Sequence, residues 1–579
     1  MNKALNFLAR LLCAGIVAVG AVSVAVGGWS TDRSLVDGFV STYPHAKPYA
    51  AWIALHHMQL IIGGAIAIAL AFAVGYSLMR LLGKPSSHGS ARWASVLEVW
   101  QAGLAPHRGP RFVLGHRGLQ ILALSEKLQR EHALIVAPNG QFKTSGFIIP
   151  NLLEERGLRG LVIHDVKGEL LKVCAGALSH YLPVVVWAPA RMEISIHYNP
   201  LKFVLTEEDA ADLAQCWIDN TGISRETFWN DTARLLVQAI ILHLVDCEPG
   251  APFSRLGDLL GTATFDQIRK VLEHSKSQRA REIGASFVGN VANDARLAAG
   301  IMSGMAARFL ALRNKAIREL TSTHPDPEKN LDLHKLASTP QALFVVIAAT
   351  DAKRLKPITA ALLMQLMNHL TRNPLERGMA FYLDELCNAG NIPHYTEHIS
   401  LVRGQNLALL QVIQDFGQLR REYGPDGAQT ILTNSNTKVF LPGVGKQESE
   451  FASELVGDMT IRTVSYSHRR GYDGRENVSY TRRRMMHPDE IRRMKRGSVL
   501  VISSNVAPIL ARFVPYFKRK KYMRLVDLPI VESGTPQPPA PPAPPAGPLP
   551  VTPVSPAPAP AAPVVLPPIL PVPPTPSLP

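Results

Sequence analysis

Residues 133–145 read Ala133-Leu134-Ile135-Val136-Ala137-Pro138-Asn139-Gly140-Gln141-Phe142-Lys143-Thr144-Ser145. A short apolar run, a loop holding a glycine and a Lys-Thr pair, and the apolar Phe147-Ile148-Ile149 beyond it predict a strand, a phosphate loop and a helix start. That arrangement gathers backbone N–H groups and a helix N-terminus around an anion, so the stretch reads as a nucleotide site. Aligned on G-x-x-x-x-G-K-[ST], Lys143 and Thr144 fall in place, but Ala137 stands at the first glycine, Phe142 at the second, and Gly140 is displaced within the loop. If position 142 needs a positive φ, a bulky residue there costs about 1–2 kcal/mol. An ordinary strand–turn–helix connection with an exposed lysine fits the same residues.

Outward from the loop, Gly160 to Asp165 is an apolar strand ending in a carboxylate before Val166-Lys167-Gly168-Glu169, and Pro183 to Trp187 is another apolar run before Asn199-Pro200-Leu201. Strands alternating with helical patterns at this spacing predict a parallel α/β sheet. From Thr206 to about Leu336 the pattern is helical almost throughout, which predicts an inserted all-α domain. Strand-like runs resume at Ala342–Ala348, Met379–Leu383, Leu407–Ile413, Thr437–Leu441 and Ser498–Ser503, completing the sheet. The run Met379-Ala380-Phe381-Tyr382-Leu383 delivers Asp384 and Glu385 to its C-terminal end. A magnesium nucleotide needs such a pair, Asp384 holding the metal and Glu385 polarising the attacking water, although a helix-capping acidic pair has the same look. Leu409 to Ile413 ends in Gln414, an amide able to sense a γ-phosphate or to sit in a surface turn.

The N-terminus reads as membrane. Leu11 to Trp29 and Leu60 to Leu78 contain no charged residue, and each is long enough to cross about 30 Å of hydrocarbon as a helix. Arg80, Lys84, Arg92, Arg108 and Arg111 follow the second run, whereas only Arg33 and Lys47 lie between the runs, which puts everything after Arg80 in the cytoplasm. A signal peptide is the other reading of the first run. The chain has 579 residues and a formal net charge of +15, which favours an anionic partner, nucleic acid or membrane surface. Its five cysteines include no C-x-x-C, so no zinc site or disulfide framework is indicated.

Taken together these stretches resemble the coupling ATPases of type IV secretion and conjugation systems, inner-membrane proteins that bring DNA or protein to a secretion channel. The resemblance is carried by His88-Gly89-Ser90-Ala91-Arg92-Trp93, the loop up to Ile149-Pro150-Asn151-Leu152-Leu153, His164 to Glu169, Asn199-Pro200-Leu201, Phe228-Trp229 and Leu383-Asp384-Glu385. It continues through Gln414, Asn434-Ser435-Asn436-Thr437 and Pro488-Asp489-Glu490-Ile491-Arg492, spanning roughly residues 88–525. It implies a RecA-like P-loop NTPase sheet interrupted by an all-α domain, in a ring of about six subunits with ATP and Mg2+ at subunit boundaries. The expected organisation is an anchor of two transmembrane helices over 1–80, a nucleotide-binding domain in two parts (81–202 and 337–530), the all-α insertion over 203–336, and a tail over 531–579. By the same match Asn139, Gly140, Gln141, Phe142, Lys143, Thr144 and Ser145 hold the nucleotide, and Thr144 and Asp384 serve the metal. Glu385 and Gln414 act on the attacking water and the γ-phosphate, and Arg403 supports transition-state charge or is a solvated surface arginine.

The implied partners are channel components, a relaxase–DNA complex or effector proteins, and the inner membrane. Arg469, Arg470, Arg475, Arg482, Arg483 and Arg484 alternate with Tyr466, Tyr472 and Tyr480, a mixture suited to non-specific DNA or to a solvated loop. The tail from Gly534 to Pro579 has no charged side chain and is dominated by Pro, Ala and Val, so it predicts an extended arm without stable structure. Two other readings are a septal-type DNA-pumping translocase and a nucleotide-binding substrate receptor with little hydrolysis, which Phe142 keeps open.

Overall fold

A computed structural model describes residues 61–71, 88–105, 111–221, 227–291, 294–373, 377–401, 404–469 and 472–530, with a few isolated positions besides. The strands in chain order are β1 (Phe112–Arg117), β2 (Gln120–Leu124), β3 (Ala133–Val136), β4 (Gly160–Asp165), β5 (Val184–Trp187), β6 (Ala342–Val346) and β7 (Met379–Leu383). They continue with β8 (Leu407–Ile413), β9 (Thr437–Phe440), β10 (Asp458–Arg469), β11 (Tyr472–Arg484), β12 (Ser498–Ser503) and β13 (Val506–Arg512). Among the described residues eleven of these form one sheet, ordered β2-β1-β13-β12-β9-β3-β8-β7-β4-β6-β5.

The run from β9 to β5 is parallel throughout. Strands β3, β6, β7 and β8 are buried at every position, as expected of strands covered on both faces. Alternate side chains feed two cores. Leu134 and Val136 join the helices between β5 and β6, whereas Ala133 and Ile135 pack with Phe112, Leu122 and Leu152 on the other face.

The other four strands correct the expectation of a parallel sheet. β12 runs antiparallel to β9, and β13, β1 and β2 extend the sheet by further antiparallel pairs. Their period is obscured in the sequence by a register shift at Gly115, whose φ of 151° brings its backbone against the carbonyl of Arg512, and by Pro508 inside β13. The arginine–tyrosine stretch is a two-stranded antiparallel ribbon, β10 with β11, separate from the main sheet.

From Glu207 to Ser338 the described chain holds helices and short helical turns and no strand, apart from a single bridge from Asn330 to His197. Their apolar faces are continuous with the core on one face of the sheet, and Trp217 stacks on Phe309 with ring centroids 5.1 Å apart. The first uncharged run, 11–29, lies outside the described residues. The second is described over 61–71, which is helical and leaves Ile62, Ile66 and Leu70 each more than half exposed. Among the described residues no helix is long and apolar enough to cross a membrane. Residues 531–579 lie outside the described residues as well.

One buried polar cluster braces the region that follows β3. The helix Ile149–Glu154 is succeeded by Glu155, which pairs with Arg159; both side chains are about 5% exposed. Tyr382 of β7 donates to Glu155 Oε1 at 2.8 Å, and Arg159 donates to Gln129 Oε1 at 2.6 Å while its guanidinium lies 5.1 Å from the Phe112 ring. Each buried polar group has a partner, so removing one leaves its neighbour short. Tyr382→Phe should lower stability by about 1–3 kcal/mol, and Arg159→Met by about 3–5 kcal/mol because it strands a buried carboxylate. Urea unfolding midpoints measure both, and a Tyr382→Phe midpoint equal to that of the parent would show that the brace is not bonded as described.

Candidate functional site

Parallel pairing sets the site. β7 lies beside β8 with Leu383 opposite Gln411, and β3 lies on the other side of β8 with Val136 opposite Ile413. The ladder runs one residue further, where Ala137 N–H donates to Ile413 O at 2.9 Å. Asp384, Gln414 and the loop from Ala137 to Lys143 therefore leave neighbouring strands at the same end of the sheet, as crevice sites of parallel sheets do.

Side chains close the arrangement. The Thr144 hydroxyl donates to Asp384 at 2.8 Å (Oδ1) and 3.1 Å (Oδ2). Lys143 Nζ lies 3.2 Å from Glu385 Oε2, with only 12% and 13% of the two side chains exposed. Gln414 Nε2 donates to the other Glu385 oxygen, and Gln418 Nε2 to Gln414 Oε1 at 3.4 Å. Burial pushes the Asp384 carboxyl up to about 6, opposed by the Thr144 hydrogen bond and Lys143 and reinforced by Asp165 and Glu385.

Beyond Lys143 the chain makes a π-helical turn, Thr144–Ile148, before the helix Ile149–Glu154. Asn139 and Gly140 are exposed at the tip of the loop, and Gln141 to Ser145 are half-buried. Phe142 adopts a φ of 61°, the conformation a glycine would take there without strain. Its ring lies 4.0 Å from the Arg496 guanidinium and 5.9 Å from the Phe517 ring, edge to face. The strain of about 1–2 kcal/mol is of the same size as a well-placed cation–π contact, up to about 2 kcal/mol, so the second roughly offsets the first.

The donors present suit magnesium with a nucleotide. A hydroxyl and a carboxylate are hard oxygen ligands, and Mg2+ is ordinarily held by one or two such groups with phosphates and water completing the shell. Among the described residues there is no group of three or more His, Cys, Asp and Glu that could hold a metal ion. A Cβ built on Gly140 would meet nothing within 4 Å, so the loop is open on that side.

Of the residues singled out from the sequence, Lys143, Thr144, Asp384, Glu385 and Gln414 are brought together, and Arg403 lies outside the described residues. Asp165 is spent on its own turn, accepting from the N–H groups of Lys167, Gly168 and Leu171 at 3.1, 2.8 and 2.9 Å. Its neighbour His164 is fully buried, and burial pushes its imidazole down to about 4, which keeps it neutral. Arg496, Phe517 and Gln418 were not legible from the sequence. Arg496 and Phe517 contact the loop across more than three hundred residues of chain, and no spacing announces that contact.

Residues 100–534 match the family model described as type IV secretory system conjugative DNA transfer. The chain is 24% identical over 515 residues to protein VirD4 of Rhizobium radiobacter, covering 85% of this chain and 72% of the relative. It is 27% identical over 458 residues to conjugal transfer protein TraG of Escherichia coli, covering 70% and 71%. Among solved structures it resembles plasmid coupling protein TrwB in complex with the non-hydrolysable ATP analogue ADPNP, with a TM-score of 0.56, 16% identity and coverage of 79% of this chain and 98% of that one. TrwB in complex with ADP and Mg2+ gives the same score and identity over 75% and 96%. At that identity the likeness to TrwB is one of fold.

The Asp384 environment makes stability depend on pH. Folding raises this carboxyl from about 4 to about 6. The stability it contributes is present in acid and is lost as pH rises through about 6, where a charge must be carried in a buried site. Asp384→Asn removes that titration, so in chelator the variant should match the parent near pH 4 and exceed it by up to about 2–3 kcal/mol at pH 7. Unfolding curves measured across this range check it, and curves that run parallel would contradict it.

Proposed function

The chain belongs to the type IV secretory system conjugative DNA transfer family, and from that membership we propose how this coupling ATPase uses its site. It takes ATP with Mg2+ and serves a conjugation or type IV secretion system. The observation that carries the assignment of roles is the meeting of Lys143 and Thr144 with Glu385 and Asp384, groups some 240 residues apart in the chain. The backbone from Asn139 to Ser145 cradles the phosphates. Thr144 and Asp384 hold the magnesium, which supplies positive charge against the phosphate oxygens. Lys143, paired with Glu385 as described, exchanges that carboxylate for phosphate when nucleotide enters. Glu385, still held through Gln414, is then free to accept the proton of the attacking water, the part a carboxylate plays in such sites. Arg403 is assigned to transition-state charge.

The finer organisation is proposed on the same footing. Residues 1–80 anchor the chain in the inner membrane by two helices, with the nucleotide-binding parts 81–202 and 337–530 and the helical insertion 203–336 on the cytoplasmic side. Six copies form a ring, and the tail 531–579 is an arm without a core. The phosphate loop is degenerate at Ala137 and Phe142 yet keeps a left-handed backbone at position 142, which favours a working ATPase over a receptor with little hydrolysis.

Non-specific DNA is proposed to lie on the ribbon. Register sets Arg462 opposite Tyr480 and Thr460 opposite Arg482, with Val464 and Val478 paired between them and the tip, so Arg462, Tyr480 and Arg482 share one face. Thr463, Ser479, Thr481 and Arg483 share the other, and the Thr463 and Thr481 hydroxyls are 3.2 Å apart. Arg482, Arg483 and Arg484 are engaged internally, by Asp458, by Glu490 at 3.2 Å and by Glu454 at 3.5 Å. Phosphate must therefore compete with carboxylates for them.

Two measurements test these readings. Lys143→Ala should abolish ATP turnover, and Glu385→Gln should keep nucleotide binding while stopping hydrolysis; an unchanged rate in either variant removes the assignment. For DNA, Asp458→Asn releases Arg482 and should steepen the salt dependence of binding by up to about one unit of slope, if that arginine then displaces about one counterion. An identical slope for variant and parent would take the ribbon out of the DNA path.

A further inference from the structure

We infer that Arg496 is a positioning residue for the phosphate loop, gripping it through Phe142 and aiming a backbone N–H at the phosphates. The inference rests on the nucleotide reading of the loop. Arg496 Nη2 donates to the carbonyl of Gly140 at 2.6 Å, and its guanidinium covers the Phe142 ring at 4.0 Å. In a trans peptide the C=O and the following N–H point in opposite directions. A Gly140 carbonyl drawn out to Arg496 therefore turns the N–H of Gln141 away from Arg496, toward the inside of the loop. The next two residues continue the concavity. Phe142 is left-handed at φ 61° and Lys143 right-handed at φ −53°, ψ −55°, and such alternation directs neighbouring N–H groups into an anion-binding nest.

A glycine at position 142 would reach this backbone unaided but would offer nothing to hold. The phenylalanine gives Arg496 a flat surface to stack on, and Phe517 closes the ring's edge at 5.9 Å. Departure from the glycine pattern thus supplies a handle, and the segment entering β12 becomes part of the nucleotide site. Arg496 contacts the Gly140 carbonyl and the Phe142 ring, both parts of the loop, so its action runs through the loop.

The test uses the full chain in detergent or nanodiscs, with ATP as the probe in binding and steady-state assays. Arg496→Ala should raise both the Kd and the KM for ATP about five- to tenfold with a much smaller change in kcat, the signature of a lost uniform binding contact. Arg496→Lys keeps the charge without the planar fork and should recover less than half of the loss. In a Phe142→Gly background, Arg496→Ala should cost clearly less, since the stacked half of the contact is already gone. An unchanged KM in Arg496→Ala, full recovery by lysine, or strictly additive double-variant effects would each overturn the inference. Parallel Lys143→Ala measurements separate the two levels: wild-type ATP affinity there would remove the nucleotide site itself, whereas lost affinity there with a silent Arg496→Ala removes only the positioning role.

Discussion

The parallel hydrogen-bond ladder through β3, β8 and β7 is the constraint on which the site depends. Because β8 pairs with both neighbours, the places where β3 gives way to the loop and β7 to Asp384 are set relative to each other by backbone bonds, before any side chain contributes. The side-chain contacts Thr144–Asp384 and Lys143–Glu385 are then short-range consequences of a register fixed over the whole strand length. A one-residue slip would turn Phe381 and Leu383 to the opposite face, exchanging the core they share with the helical segment for the other one, a cost no catalytic contact could repay.

Burial makes the same site electrostatically tense. Asp384 is almost wholly enclosed, and its nearest cation, Lys143, is already shared with Glu385. With more acid than base behind the loop, the arrangement is better satisfied with added positive charge than without it. The brace of Glu155, Arg159 and Tyr382 lies on the face of β7 that packs against the helix following the loop and ties the strand to the end of that helix.

What the sequence disclosed and what it hid follow from how far each signal reaches. Strands covered on both faces announce themselves as apolar runs, so β3, β4, β6, β7, β8 and β12 were legible to within a residue or two. That Lys143, Thr144 and the two carboxylates belong to one site is legible because both sets sit directly after such runs, whereas their direct pairing is not. Strands β1, β2 and β13 were not, since a bulge at Gly115 and a proline at 508 interrupt their period. The strain expected at Phe142 is present, but its compensation by Arg496 depends on a contact across some 350 residues, which local pattern cannot carry. The ribbon shows in the sequence as charge and aromaticity alone, because alternation of Arg and Tyr with Ser and Thr has no apolar face to mark it as strand.

The ribbon is two-stranded. Beyond its base, where Ser90 bridges to Met459 and Thr460 N–H reaches Gly89 O, β10 and β11 pair with each other, outside the main sheet. A long two-stranded arm has two edges, and edges of this kind are the template on which stray chains add as extra strands. Charged side chains along the arm, Arg462, Arg482 and Arg483 among them, blunt such edges, so the residues that suit the arm to an anionic cargo also bear on its resistance to self-aggregation. Neutralising them wholesale would then threaten solubility as well as cargo contact.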